Sequence, residues 1–261
     1  MAYEQRFEGT TDIWLLELAR GVPTRFTSHP EFELYPVWSP DGKRIAFQSN
    51  RKSDLGTTFD TYVKSVGGTG NEELLVGGEG GQIPTDWSLD GRFVLYNDTP
   101  TGIWAVSPDG DRKPFPVVET NLAASSGQFS PDGQWIGYQS RESGPLVEIF
   151  VQRFPGPGSK TQISSGGGVQ PRWRRDGKEL FYLSPDNRLM AVPIKLDSGR
   201  DVVEVGLPVS LFAASLSGTP QGGSNRQYMV SPDGQRFLLD TPAETTTPVT
   251  VILNWKPALK R

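Results

Sequence analysis

Short runs dense in apolar and aromatic residues recur along the whole chain: Arg44-Ile45-Ala46-Phe47-Gln48, Phe93-Val94-Leu95-Tyr96, Trp135-Ile136-Gly137-Tyr138, Glu179-Leu180-Phe181-Tyr182-Leu183 and Arg236-Phe237-Leu238-Leu239. Their brevity and their β-branched and aromatic content predict strands packed on both faces. Each follows a turn cassette: Trp38-Ser39-Pro40-Asp41-Gly42, Trp87-Ser88-Leu89-Asp90-Gly91, Phe129-Ser130-Pro131-Asp132-Gly133, Trp173-Arg174-Arg175-Asp176-Gly177 and Val230-Ser231-Pro232-Asp233-Gly234. Proline at the second turn position fixes φ near about −65° and the glycine takes positive φ, so each cassette joins two antiparallel strands. The cassette Asp residues lie 42 to 57 residues apart, room for several strands and the period of a propeller blade.

Third-strand elements begin at Asp12, Asp60, Gly102, Glu148, Arg188 and Val249, and fourth strands are expected at 24–28, 72–76, 115–119, 160–164 and 209–213. The reading is one all-β domain over 1–261, a β-propeller of four-stranded antiparallel blades. A ring-closing hairpin occupies 1–28, four complete blades with their loops 29–225, and the last blade and tail 226–261. Five blades are expected, with the N-terminal hairpin completing the last and removing an exposed edge. That hairpin also reads as the third and fourth strands of a blade whose first two are absent, so six blades, or part of a longer propeller, is the alternative. Left uncovered, Ile13, Trp14, Leu15 and Leu16 predict a dimer through this edge; covered, a monomer.

Composition narrows the chemistry. The 30 Gly and 22 Pro suit short strands and many turns. A net charge of −4 lacks the basic excess that phosphate backbones and anionic membranes demand, so nucleic acid is not an expected partner. With no Cys there is no disulfide, cysteine-zinc, iron–sulfur or thiol chemistry, and His29 alone removes most histidine metal sites. Ser-His-Asp hydrolysis would have to use His29, and no Gly-x-Ser-x-Gly elbow is present. Tyr3, Glu4, Arg6 and Glu8 interrupt any signal-peptide stretch, and no apolar run approaches the roughly 18 residues of a membrane span.

The Trp-Ser-Pro-Asp-Gly, Ile-Ala-Phe-Gln-Ser and Asp-Ile-Trp pattern resembles the TolB-type, WD-like β-propeller repeats over essentially the whole chain. The segment Val249 to Lys260, with Ile252-Leu253-Asn254-Trp255, resembles the ends of bacterial propeller regions fused behind serine/threonine kinase domains, although no kinase motif occurs. The resemblance implies a ligand- or protein-binding propeller that is the extracytoplasmic part of a larger bacterial protein. It extends to the gating propellers of prolyl-oligopeptidase-like enzymes, whose chemistry belongs to an α/β-hydrolase domain with no counterpart in these residues. Leu89, and Arg174-Arg175 in place of Ser-Pro, depart from the pattern and are expected to weaken their turns.

The cassette Asp residues are read as turn formers rather than calcium ligands, and Trp38, Trp87, Phe129 and Trp173 as inter-blade core. Subtracting the repeat leaves the positions that differ at the mouth of a central channel. One residue before the aromatic stand Val37, Asp86, Gln128, Arg172 and Met229; three before stand Tyr35, Pro84, Ser126, Gln170 and Gln227; Glu33, Gln82 and Arg226 lie in the same entering loops. Tyr35, Gln128, Gln170, Arg172 and Arg226 form the expected ligand-binding set, for a small molecule or a protein, and no catalytic residue is assigned. The rival reading is a calcium-dependent hydrolase of a lactone, ester or phosphotriester. There Glu33 and Asp86 hold the metal and Asn121, Gln128 and Asn225 offer further oxygens. The run Arg172-Trp173-Arg174-Arg175 alternates faces in a strand and so makes no single basic patch. The Gly-rich stretches 77–81 and 166–168 suggest phosphate cradles, but no Lys-Ser/Thr follows in a strand-to-helix context, and they are read as connections between blades.

Overall fold

The computed structural model describes residues 1–7, 9–51, 58–67, 70–100, 102–120, 122–156, 158–220, 226–242 and 251–252, and these form six antiparallel sheets without a helix. Two compact units divide the chain, Met1–Ala123 and Ala124–Arg261.

The first unit holds three sheets, each with its strands in chain order. They are β1 (Ala2–Phe7), β2 (Thr10–Glu17) and β3 (Val22–Arg25); β4 (Glu33–Trp38), β5 (Arg44–Ser49), β6 (Asp60–Ser65) and β7 (Glu73–Val76); and β8 (Gln82–Trp87), β9 (Val94–Asp98), β10 (Gly102–Val106) and β11 (Phe115–Glu119). The second unit opens with β12 (Ser125–Phe129), β13 (Trp135–Ser140), β14 (Glu148–Arg153) and β15 (Lys160–Gln162). A five-stranded sheet follows, of β16 (Val169–Trp173), β17 (Glu179–Leu183), β18 (Arg188–Asp197), β19 (Val202–Val205) and β20 (Val209–Ala213), and then β21 (Tyr228–Val230), β22 (Phe237–Leu239) and β23 (Val251–Ile252).

Two of these strands were not expected from the sequence. β1 pairs along its length with β2, so the anticipated hairpin is the inner part of a three-stranded sheet. Its charged, half-exposed alternation and the missing cassette hid it. β18 is ten residues long: its first half takes β20, the expected fourth strand, and its second half takes β19. Of the third-strand element expected at Val249, only β23 lies within the described residues; Asn121, Asn225 and 253–260 lie outside them.

The cassettes close their hairpins through their own side chains. Ser39 Oγ donates to Asp41 Oδ1 at 2.7 Å and accepts from Arg44 N at 2.8 Å, while Asp41 Oδ1 accepts from Lys43 N at 3.0 Å. The same Ser–Asp contact recurs at Ser88–Asp90, Ser130–Asp132 and Ser231–Asp233. The cassette glycines have φ between 67° and 78°, as the turn requires. Leu89 does not break its turn, because the contacts come from Ser88, Asp90 and backbone. In the fourth cassette the Arg174 guanidinium donates to both Asp176 oxygens at 2.7 Å and to Glu179 at 2.5 Å. Arg174 holds the Asp176 carboxyl down to about 2. A charged fork thus replaces a hydroxyl, and the turn forms.

Trp87, Phe129 and Trp173 are buried as expected and Trp38 is half-buried. Trp87 sits among Val37, Ala46, Val63, Leu75 and Tyr96 between the second and third sheets. Its Nε1 donates to Gly91 O at 3.1 Å, and the Arg44 guanidinium lies 5.0 Å over its ring. Trp87→Ala is expected to cost about 3–5 kcal/mol in urea unfolding. A loss below about 1 kcal/mol would remove this tryptophan from the core.

Candidate functional site

The first strand of each complete blade carries one extra residue. The register slips between Leu34 and Val37, Pro84 and Asp86, Ser125 and Gln128, and Val169 and Arg172. Such a bulge turns the chain and leaves a residue outside the ladder. Tyr35, Ser126 and Gln170 occupy it with φ of 54°, 57° and 56°, in the left-handed region. On β8 the slip falls one residue later, so that Thr85 stands outside the ladder while Pro84 still pairs with Tyr96. Tyr35, Ser126 and Gln170, three residues before the aromatic, are therefore the bulge residues of their strands.

A bulged edge strand has amides that need acceptors. In the second unit, Gln170 N donates to Gln139 Oε1 at 2.7 Å, and Gln227 N donates to Gln170 Oε1 at 2.9 Å. Gln170 Nε2 donates to Gln227 Oε1 at 2.9 Å, completing a buried two-bond amide pair. Gln128 Oε1 accepts from Trp173 N at 3.0 Å. Gln128 and Gln170 thus each commit an amide oxygen to the next sheet. Tyr228, wholly buried, donates to Gln170 O at 2.8 Å, and burial pushes its hydroxyl far above the usual tyrosine range. The half-buried Arg172 guanidinium lies 5.8 Å over the Tyr228 ring and donates to Pro171 O at 2.8 Å. Arg226, just before β21, is exposed. The structure thus gathers Gln170 and Arg172 around Tyr228, with Arg226 two residues along the chain.

In the first unit, half-buried Tyr35 donates its amide to Glu4 Oε1 at 2.7 Å, and Asp86 is half-buried on β8. Glu33 is wholly buried and accepts from Arg51 at 2.5 Å. Arg51 also pairs with Glu72, which accepts from Lys64 at 3.0 Å, and Asp12 accepts from Arg25 at 2.8 Å. Burial lifts the Glu33 carboxyl to about 7, against the opposing pull of Thr27 and Arg51. Glu33, expected as a calcium ligand, thus shares an internal guanidinium with Glu72. Among the described residues no three of His, Cys, Asp and Glu form a group suited to a metal ion.

The Gly-rich stretch after β15 does cradle an anion, and the anion is the protein's own. Gly166 N and Gly167 N, both at positive φ, donate to Glu148 Oε1 at 2.9 and 2.8 Å, and the Ser164 hydroxyl donates to its other oxygen. After β7, Gly78 N donates to Asp60 Oδ1 at 3.3 Å. Both carboxylates head third strands, so the connections are latched rather than open cradles.

No family model matches the chain. The uncharacterised protein Atu1656 of Agrobacterium fabrum is 28% identical over 194 residues, covering 67% of this chain and 62% of that protein. A crystal structure of TolB from Acinetobacter baumannii superposes with a TM-score of 0.70 over 97% of this chain and 60% of its own, at 19% identity. The chain has the TolB-type β-propeller fold. It spans about three fifths of the length of these two relatives. An oligogalacturonate lyase from Vibrio parahaemolyticus shares the fold with a TM-score of 0.62 at 11% identity, over 97% of this chain and 71% of its own.

Within this TolB-type fold, sequence reading missed Gln139, Arg51 and Glu72. The repeat carried a signal for the first, because Gln48-Ser49 and Gln139-Ser140 end equivalent second strands. Gln170→Leu is expected to cost about 2–4 kcal/mol in chemical denaturation, since it strands the buried Gln227 amide and side chain. A fully stable Gln170→Leu protein would return this residue to the ligand-binding set.

Proposed function

We propose that this TolB-type propeller is a binding module for a carboxylate-bearing partner, and that Arg172 and Arg226 supply the cationic contacts. The observation that carries this reading is the division of labour among residues on, or just before, the first strands of the sheets in the second unit. Gln128 and Gln170 stitch sheets together, whereas Arg172 is held over a fixed aromatic ring and Arg226 reaches solvent. A guanidinium already oriented by stacking loses little freedom on taking up a carboxylate, and it makes two parallel charge-assisted bonds. Tyr35 and Asp86 are the half-buried candidates of the first unit.

Binding to an acidic segment of a protein and binding to an acidic saccharide use the same chemistry. The fold likeness to an oligogalacturonate lyase makes that saccharide a useful probe. An extracytoplasmic setting is part of the proposal and rests on the TolB likeness; no helix among the described residues is long and apolar enough to cross a membrane. The calcium-dependent hydrolase, with Asp86 and Glu33 as ligands, ranks second because Arg51 already occupies Glu33.

Calorimetric titration at low salt with oligogalacturonate and with an oligoglutamate peptide tests the reading. At least one is expected to bind, with Arg172→Ala or Arg226→Ala weakening it about tenfold and added salt weakening it further. Equal heats for wild type and both variants would end it. Calcium-stimulated hydrolysis of a lactone, ester or phosphotriester that Asp86→Asn suppresses would put the enzymatic reading in its place.

A further inference from the structure

The sheet β1–β3 meets the sheet β4–β7 through a junction unlike the others. Its fully buried apolar part is small, Ile13, Phe47 and Tyr62, with Ala2 and Phe26 partly buried beside them. Ionic groups supply the rest. The Arg51 guanidinium lies 4.3 Å over the Tyr62 ring and reaches Glu33 and Glu72, and Lys64 Nζ donates to Glu72 and, across the junction, to Phe26 O at 2.8 Å. On the other side Arg25 holds Asp12, Thr27 Oγ1 accepts from Ile13 N at 2.9 Å, and Glu4 takes the Tyr35 amide.

Three acids, Asp12, Glu33 and Glu72, are thus paired with three bases, Arg25, Arg51 and Lys64; Asp12 and Glu33 are wholly buried, Arg51, Lys64 and Glu72 largely so, and Arg25 reaches the surface. Glu33 Oε2 and Asp12 Oδ1 are buried there without a hydrogen-bond partner. Arg51 is shared, and the sharing is unequal. Burial opposes the charge on Glu72, yet hydrogen bonds from Arg51 and Lys64 outweigh it and its carboxyl lies below the usual range. Glu33 is left with full burial and with repulsion from Glu72 and Asp12, against which stand only the Thr27 hydroxyl and a shared guanidinium.

We propose that this junction is a proton-operated joint, in which protonated Glu33 docks the β1–β3 sheet onto β4–β7 and loss of that proton loosens it. With Glu33 neutral, Arg51 and Lys64 serve Glu72, Arg25 serves Asp12, and the stranded oxygen carries no charge. With Glu33 ionised, a charge with one unpartnered oxygen sits where water cannot reach, and opening relieves it. The docked state raises the carboxyl from 4.5 to about 7, so docking is strongest below pH 4.5 and weakens as pH rises to 7. If the opened group titrates normally, the opening constant rises roughly twentyfold between pH 5.5 and 7.5.

Hydrogen exchange of the full chain, read by mass spectrometry and corrected for intrinsic rates, tests this directly. Amides of β1–β3 are expected to lose protection about twentyfold over that interval while those of β16–β18 do not. Glu33→Gln is expected to abolish the change. Glu72→Gln, which gives Arg51 wholly to Glu33, is expected to shrink it, and keeps the test decisive if Glu33→Gln does not fold. Equal pH dependence across all sheets, or an unchanged β1–β3 response in either variant, would overturn the proposal.

Discussion

Each complete blade opens on a strand that is an edge, and a bulge in that strand leaves amides outside the ladder. An unpaired buried amide costs about 1–3 kcal/mol, so the arrangement holds only if each such donor finds an acceptor. For the bulge amides of Gln170 and Tyr35 the acceptor comes from a neighbouring sheet, Gln139 and Glu4, and Gln170 and Gln128 in turn accept from the amides of Gln227 and Trp173. Satisfying the edge and joining one sheet to the next are a single set of bonds. The same bonds fix Tyr228 and, through it, the place of Arg172.

The carboxylates follow the same economy. Asp41, Asp90, Asp132, Asp176 and Asp233 close hairpins, Glu148 and Asp60 latch the glycine loops, and Glu33 shares Arg51 with Glu72. In a chain with 30 acidic residues and one histidine, many apparent metal ligands are thus spoken for by backbone amides, hydroxyls and guanidinium groups.

The sheet junctions are not equivalent. Around Trp87 and around Trp135 and Trp173 they are filled by aromatic and aliphatic side chains, whose burial is insensitive to pH. The β1–β3 junction replaces much of that area with ions, and a buried ion is stabilising only while its partner and its protonation state are right. Stability along the chain is therefore uneven, and the N-terminal sheet is the part tied to solution conditions.

The sequence by itself determined the strands that follow a cassette, because Ser, Pro, Asp and Gly at fixed offsets define a hairpin through local bonds alone. It also placed Trp87, Phe129 and Trp173 in the core, since a repeated aromatic next to a turn has few other places to go. β1 and β19 escaped it, having no cassette, and so did the bulges, which leave no composition signal beyond variability. Variable polar residues at Gln128, Gln170 and Glu33 look alike in sequence whether they face a ligand or a neighbouring sheet. Only the tertiary structure separated these cases, because Gln227, Trp173 and Arg51, the groups that satisfy them, lie 18 to 57 residues away along the chain.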